Sequence, residues 1–451
     1  MAEQLKELLS FMQDKGFVWG PSPEIYGGMS GFYTYGPLGK RLKHNVEEAI
    51  RKVFNRHEFY EIECPTVLPR KVWEASGHLS GFTDPLINCS KCASTFRADS
   101  LIEEFFPDHN TSGMKEKDLL DFIKEKKMRC PSCKGQFEEK IVQHTLMMRT
   151  TIGVDTEAYN RPETATATYL PFLRNLKFFR DKLPFGVFQI GKAYRNEISP
   201  RQHLLRCREF TQAEGQMFIF EKQKESFERF ERVKDSVLPL WDFNIQNAKK
   251  PPVDMSAGEA VKKGLLQSKA YAWTLVLAYE LFVEMGIPKD RIRFRQHHPH
   301  EKAFYAADAW DIEIKLNSFG WTECCGVHDR TSYDLTQHAK FSGEELVARD
   351  ENNEKQVPHV LEIAFGTDRP TFSLLDIFYE KKEKEEGKTK LMLPYKLAPV
   401  QVAIFPLVNK PELLDMSRDI FEDLSREFMC QFDKSGAIGA GVIYTVADKV
   451  T

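Results

Sequence analysis

The chain has 451 residues, enough for two or three domains and a large core. Hydrophobic residues at 42% and charged residues at 29% are ordinary for a soluble globular protein, and a net charge of −3 excludes a global basic field, so any contact with RNA must be local. No apolar run approaches the roughly 18 residues of a membrane span. The N-terminal MAEQLKELLSFMQDKG has neither the apolar core of a secretory signal nor the acid-poor, Arg-rich character of a transit peptide, so the expected location is the cytoplasm.

Residues 3–16 read as a helix. Residues 17–39 hold six glycines and three prolines, which predicts turns and tight hairpins. Lys40 to His57 carries Leu42, Val46, Ile50, Val53 and Phe54 on one face of an amphipathic helix. Tyr60 to Cys64 is a strand, stopped by Pro65.

Nine cysteines are an odd number for a disulfide framework, and four of them form two Cys-x-x-Cys pairs. Cys89 and Cys92 are separated from Cys130 and Cys133 by 37 residues. Two thiolate pairs on tight turns can close a tetrahedral site around structural Zn²⁺. The alternative is a pair of reduced, metal-free loops. A redox role fits less well, because neither pair opens a helix after a strand. Glu103 to Lys127 between them is a charged, largely helical insert.

Gly191 to Phe220 carries the most chemistry. An apolar run (Phe185, Val187, Phe188, Ile190) leads in, and Met217 to Phe220 leads out. Pro200 and the basic Arg201, His203, Arg206 and Arg208 lie between, which predicts an antiparallel hairpin with a cationic tip. Arg195 can grip a phosphate through two oxygens. Glu197, two residues on, would share a strand face with it and accept from an amino group. Phe210 offers a ring for a base to stack on. Together these make a purine-nucleotide site; taken alone, Arg-x-Glu is also a common surface ion pair.

Residues 221–290 read as mostly helical, with Glu221 to Trp241 amphipathic and Ala270 to Gly286 more apolar. Strands return at 292–297, 305–314 and 320–326. Arg293 and Arg295 share one face, and such a pair inside a sheet enzyme more often meets an anion than solvent. The spacing of His297, His298, His300 and His328 does not make a compelling metal site. Glu362 to Arg369 is a strand passing through Gly366 into a helix, with an arginine at the helix start where the dipole suits a phosphate. Residues 380–390 read as a solvated linker. A buried strand at 400–406 and a helix at 411–428, with Leu413, Leu414, Met416, Ile420, Phe421 and Leu424 facing in, open a second α/β unit.

Several of these segments resemble class II aminoacyl-tRNA synthetases, and glycyl-tRNA synthetases of the archaeal and eukaryotic kind in particular. The helix at 40–57 with its strand resembles motif 1, Arg195-x-Glu197 with Arg206-x-x-x-Phe210 resembles motif 2, and Glu362 to Arg369 resembles motif 3. Glu24 to Gly28, Tyr35 to Gly39, Arg97-Ala98-Asp99, Arg161-Pro162-Glu163-Thr164-Ala165 and Asp329 to Leu335 are similar to glycine-specific segments. Three departures stand out: Thr166-Ala167-Thr168 replaces the commoner Gln-Gly, Asp368 stands at a frequent glycine, and Ala364 stands at a frequent serine.

The resemblance implies an α+β fold: a six- or seven-stranded antiparallel sheet flanked by helices, a zinc-knuckle insertion and a partial C-terminal α/β anticodon-binding domain. The implied division is 1–85 and 143–390 for the catalytic core, 86–142 for the insertion and 391–451 for the partial domain. After Asp433 to Gly439 the family pattern is lost, so that domain reads as truncated. The implied reaction is ATP-dependent ligation of glycine to tRNA(Gly) through glycyl-adenylate, with Mg²⁺, in a homodimer. Arg195, Asn196, Glu197, Leu205, Arg206, Phe210, Glu323, Cys324, Gly366 and Arg369 would meet ATP. Within that set Arg195 takes the α-phosphate, Arg369 the γ-phosphate and Glu197 the adenine amino group. Arg97, Glu163, Phe210, Glu214, Arg295, Glu362 and Gly366 would meet glycine or its adenylate. Glu163, Glu214 and Glu362 would ring the substrate ammonium and fill the volume of a larger side chain, with Arg97 and the strand arginines expected to hold them. The alternative is a synthetase-like nucleic-acid-binding or accessory subunit without catalysis.

Overall fold

The computed structural model describes residues 2–433, apart from 107, 108, 110, 112, 199, 201, 300, 304, 382–388 and 407. Arg201, His300, the middle of the 380–390 segment and everything after Asp433 therefore lie outside the described residues.

Nine strands form one sheet: β1 (Phe59–Glu61), β2 (Phe185–Tyr194), β3 (Glu209–Ile219), β4 (Val237–Trp241), β5 (Val253–Ser256), β6 (Ile292–Gln296), β7 (Asp308–Leu316), β8 (Gly320–Asp329) and β9 (His359–Gly366). Their order is β5-β4-β6-β7-β8-β9-β3-β2-β1. Only β1 with β2 and β4 with β6 run parallel; the other neighbours are antiparallel.

The sheet exceeds the six or seven strands expected because Val237–Trp241 and Val253–Ser256 are strands, where a mostly helical stretch was predicted. Pro239 within the first of them cannot donate to a ladder. It is tolerated because pairing with β6 begins only at Leu240 and Trp241. Residues 221–232 form two 3-10 turns rather than a long helix.

One face of the sheet is covered by α1 (Pro37–Arg56) and α2 (Lys269–Glu284). The stripe Leu42, Val46, Ile50, Val53 and Phe54 is buried as its spacing requires. Phe54 stacks on Phe188 of β2, ring centroids 4.7 Å apart. It also fits over Gly215 of β3, where an added Cβ would stand 2.5 Å from the Phe54 ring, so the helix can approach the strand only over a glycine. On β3 the alternation is strict: Ala213, Gly215 and Met217 face the helices, and Gln212, Glu214 and Gln216 face the other way. That second face is the floor of the cleft described below. α3 (Asp368–Phe378) leaves the end of β9 directly.

Residues 83–145 build a separate small sheet from Thr83–Asn88, Thr95–Arg97 and Val142–Thr145, with its own apolar core around Ile87, Phe96, Leu101, Ile102, Leu119 and Ile123. The ends of the 380–390 segment are not a free linker: Tyr379–Lys381 pairs with Thr389–Leu391. In the C-terminal unit, Val402–Ile404 pairs in parallel with Cys430–Phe432 across the helix Pro411–Leu424. The predicted burial there is not met among the described residues, since Leu413, Met416 and Ile420 stay 36%, 59% and 45% exposed. No helix among the described residues is long and apolar enough to cross a membrane.

Candidate active site

The cleft opens over β3, β8 and β9, with a volume of about 350 Å³. Register fixes its floor. Glu214 of β3 lies opposite Ala364 of β9, and Ala364 lies opposite Gly326 of β8. One row along, Gln216 lies opposite Glu362, and Glu362 opposite His328. Two carboxylates on neighbouring strands thus flank a floor of two very small residues. Glu163, from the loop after the strand Thr156–Asn160, also lines the cleft and adds a like charge beside Glu214.

Each carboxylate is fixed differently. Glu362 accepts from Tyr169 Oη at 2.9 Å and Arg330 Nη1 at 3.1 Å, with His328 Nδ1 at 3.3 Å. Burial alone would raise its pKa, but Arg330 and His328 outweigh burial and hold it at about 2. Glu163 accepts from Thr166 Oγ1 at 2.7 Å, and His78 Nε2 lies 3.4 Å away. Its burial is likewise outweighed, chiefly by His78, so it also sits below the ordinary range. Among the described residues, Glu214 has only the hydroxyl of Thr164 as a hydrogen-bond donor. Burial, with Glu362 and Glu163 as like charges beside it, pushes Glu214 up to about 8. Their surroundings therefore favour the ionised form of Glu163 and Glu362 and the neutral form of Glu214.

The groups that hold this ring are not those expected. Arg97 pairs with Asp99 at 2.6 Å and Asp84 at 3.3 Å and lines an adjoining cavity beside the insertion. Arg295 is spent on Glu301 and Asp311, both at 2.8 Å, and does not line the cleft. Arg293 binds Glu313 at 2.5 Å and lies between the rings of Trp241 and Trp321, 3.8 and 4.3 Å from their centroids. Arg330, in the segment similar to other glycine-specific sequences, does the holding instead. It also binds Asp334 through two contacts of 2.7 and 2.8 Å.

The departure at Thr166-Ala167-Thr168 is accommodated by hydrogen bonds. Thr166 donates to Glu163, and Thr168 Oγ1 accepts from Gln189 Nε2 at 2.6 Å. Thr164 is held through its backbone N–H by Gln212 at 3.0 Å and through its carbonyl by Gln189 at 2.9 Å. Arg161, fully buried, ties this segment to β2 and to the motif 1 loop through Lys192 O at 2.8 Å and Cys64 O at 2.9 Å.

At the nucleotide end, Arg195, Glu197, Leu205, Arg206, Phe210, Glu323, Cys324, Gly366 and Arg369 all line the same cleft. Arg195 lies over the rings of Phe210 and Phe82, at 5.4 and 5.3 Å, and donates to Pro162 O at 3.1 Å. β2 ends at Tyr194, so Arg195 and Glu197 do not share an extended strand. Instead Glu197 N–H folds back onto Arg195 O at 2.8 Å, and both side chains still reach the cleft. Asn196 points its backbone elsewhere, donating to Leu146 O at 2.8 Å and accepting from His144 Nε2 at 3.0 Å, and is not among the lining residues. Arg369, one residue into α3, donates to Leu205 O at 3.1 Å and Glu323 O at 2.6 Å.

The four knuckle cysteines also meet. Cys89 and Cys133 sulfurs are 3.4 Å apart, Cys92 and Cys130 sulfurs 3.7 Å, and all four lie within 4.8 Å of one another. A tetrahedral ion with bonds of about 2.3 Å needs sulfurs about 3.8 Å apart, so the residues fit such an ion.

Residues 151–378, which hold eight of the nine strands and the segments resembling motifs 2 and 3, are matched by the family described as tRNA synthetase class II core domain (G, H, P, S and T). The fold is similar to a Giardia lamblia prolyl-tRNA synthetase in complex with prolyl-adenylate, with a TM-score of 0.58 at 13% identity, covering 96% of this chain and 64% of that one. It is similar also to prolyl-tRNA synthetase from Cryptosporidium parvum, complexed with halofuginone and AMPPNP, with a TM-score of 0.55 at 13% identity over 95% of this chain and 64% of that one. The fold and cleft are those of a class II aminoacyl-tRNA synthetase. Curated relatives named glycine-tRNA ligase match more closely: one from Methanococcus maripaludis strain C6 is 38% identical over 97% of this chain and 91% of its own length. One from Pyrococcus furiosus is 38% identical over 97% and 90%, and one from Thermococcus kodakarensis 38% over 96% and 88%. The chain belongs to the glycine-tRNA ligase family.

Proposed function

We propose that this cleft joins glycine to ATP and then passes glycine to tRNA(Gly). The observation that carries the reading is the ring of Glu163, Glu214 and Glu362 over the small floor of Ala364 and Gly326, beside Arg195 and Arg369. The ammonium of glycine takes the place between the carboxylates. Its carboxylate oxygen attacks the α-phosphorus of ATP; the bond to the bridging oxygen breaks and pyrophosphate leaves. The terminal ribose hydroxyl of the tRNA then attacks the carbonyl carbon, and AMP leaves.

The chain contributes position and charge rather than covalent chemistry. Arg195 is suited to the α-phosphate and Arg369 to the γ-phosphate, since both are braced from behind by backbone carbonyls and keep guanidinium nitrogens for oxygens. Phe210 stacks on adenine and Glu197 accepts from its amino group. Mg²⁺ neutralises phosphate charge when bound, and Glu323 is the carboxylate beside Arg369 that would hold it. Leu205, Arg206, Cys324 and Gly366 shape the nucleotide end. The intact arginines and carboxylates favour this reading over an accessory subunit.

Structural Zn²⁺ at Cys89, Cys92, Cys130 and Cys133 is supported by the sulfur spacing. We take 86–142 as an insertion, 1–85 and 143–390 as catalytic core, and 391–451 as an anticodon-binding unit. A homodimer through motif 1 is supported by β1 at the sheet edge, where Tyr60 and Phe178 are 51% and 66% exposed. A cytoplasmic location fits a translation enzyme. The test is glycine-dependent exchange of pyrophosphate into ATP, in the parent and in Glu214→Ala.

A further inference from the structure

Three strands bring together a group of metal-ligating side chains, of which only His328 enters the cleft chemistry above, beside Glu362. His297 follows β6, Asp311 lies on β7 and His328 on β8. His297 N–H bonds Ala309 O at 3.1 Å, and His328 is the register partner of the same Ala309. Asp311, two residues along β7, points to the same face. One ligand atom from each of the three lies within 4.8 Å of the others. All three residues line the cleft.

Two features favour an ion. The first is an incomplete polar environment: Nδ1 of half-buried His297 has no hydrogen-bond partner among the described residues, while its Nε2 stands 2.8 Å from Asp311 Oδ2. The second is the donor set. Arg295 and His297 both fall on Oδ2 of Asp311, and no hydrogen bond or ion pair among the described residues falls on Oδ1. Two imidazoles and one carboxylate are the three-ligand set of an open zinc site, whose fourth position is left for water or substrate. With bonds of about 2.1 Å such donors stand about 3.4 Å apart, so closing on an ion takes side-chain rotations of roughly 1 Å and no change of strand register. Glu301 and Glu323 line the same cleft and add negative charge.

We propose that His297, Asp311 and His328 form a second divalent-metal site, for Zn²⁺ or a like borderline ion, distinct from the four-cysteine cluster. Its open position faces the cleft. His328 is also the neighbour of Glu362, so an ion here places positive charge beside that carboxylate. One consequence, which rests on the glycine reading above, is that zinc beyond the first equivalent raises the KM for glycine. The metal count does not rest on that reading, so the two can fail separately.

The experiment is a metal titration of the full chain. Protein equilibrated with a small excess of Zn²⁺ and freed of unbound metal should hold two ions per chain, one at the cysteines and one here. Co²⁺ should give two signatures: an intense near-ultraviolet sulfur-to-metal band for the first equivalent, and weaker visible bands without further sulfur charge transfer for the second. His328→Ala and His297→Ala should each keep the first equivalent and the parent's circular-dichroism spectrum and thermal unfolding transition, which shows that they fold, and weaken the second by more than about tenfold. A parent that takes up only one ion overturns the proposal, as do variants that take up two as tightly as the parent. Should a variant lose even the first ion by failing to fold, the parent's cobalt spectrum decides: a second equivalent that is absent, or that adds sulfur charge transfer, overturns it.

Discussion

The ammonium of Lys43 lies 2.6 Å from Oδ1 of Asp368, in a pair whose side chains are about 95% buried. Lys43 belongs to the motif 1 helix and Asp368 opens the motif 3 helix. Asp368 also accepts from Tyr35 Oη at 2.5 Å and from the backbone N–H of Thr211, on the motif 2 strand, at 2.7 Å. One carboxylate thus joins all three motifs immediately before Arg369. Its burial is outweighed by Lys43, so its pKa stays below the ordinary carboxylate value. An acid whose folded pKa is depressed contributes stability above its unfolded pKa and loses it as pH falls through the folded one.

Lys43→Met should therefore destabilise the protein by about 3–5 kcal/mol, the cost of leaving a buried charge unpaired. Asp368→Asn should do the same from the other side. The double variant should cost less than the sum, because neither residue is then an uncompensated ion. Denaturant unfolding of the four proteins measures this. Strict additivity would show that the two residues do not stabilise each other.

The position of Asp368 bears on what the sequence can and cannot tell. The strand-loop-strand of motif 2, the motif 3 turn and the motif 1 helix are legible because each is a local pattern: alternation, a glycine, an apolar stripe. The partners that make those motifs work are not local. Arg330 lies 32 residues from Glu362, and Lys43 lies 325 from Asp368. Nothing in the spacing marks Arg330 over Arg97 or Arg295. Only the sheet order β8-β9-β3 puts it by the carboxylate ring. The Asp368 departure looked like a relaxed glycine position and is instead a buried junction. The strand Val237–Trp241 closes a charged stretch, 221–241, whose amphipathic pattern reads as helix. His297, Asp311 and His328 offer no metal-like spacing, because strand register rather than sequence distance brings them together.

Glycine binding should depend on pH through Glu214. Burial and its like-charged neighbours push Glu214 up to about 8, so this carboxyl must give up its proton to pair with an ammonium ion. The KM for glycine should fall as pH rises from about 6 to about 8, by up to about tenfold per unit, and level off above. In Glu214→Gln the KM should be higher and the slope lost. Exchange kinetics at a series of glycine concentrations and pH values test this. A KM slope that persists in Glu214→Gln assigns the titration to another group.

Selectivity should change with the same residue. One methylene binds by only about 1–3 kcal/mol, and glycine has none, so alanine must be turned away by occupied space. Glu214→Ala should sharply lower glycine activation and narrow the gap between glycine and alanine. A fall in glycine activation with an unchanged ratio would leave Glu214 as a charge partner alone and move exclusion to Glu163, Glu362 or Ala364.

The knuckle should carry one Zn²⁺ through its four cysteines, apart from any ion in the cleft. Cys89→Ser should release it and loosen the small core around Ile87, Phe96 and Leu101. Metal analysis together with limited proteolysis of residues 86–142 reads both effects. Protein prepared without chelator that holds no thiolate-bound metal counts against the site.

The carboxylate ring and the two arginines together should activate glycine with ATP. The most direct measurement is amino-acid-dependent exchange of labelled pyrophosphate into ATP, for the parent and for Arg195→Ala. A charge-assisted contact of this kind is worth about 1.5–3 kcal/mol before transition-state charge is counted. The expected result is strong exchange with glycine, little or none with alanine, and loss of more than tenfold in Arg195→Ala while the fold is kept. No glycine-dependent exchange in the parent, or exchange in Arg195→Ala within tenfold of it, would mean that this cleft does not activate glycine in this way.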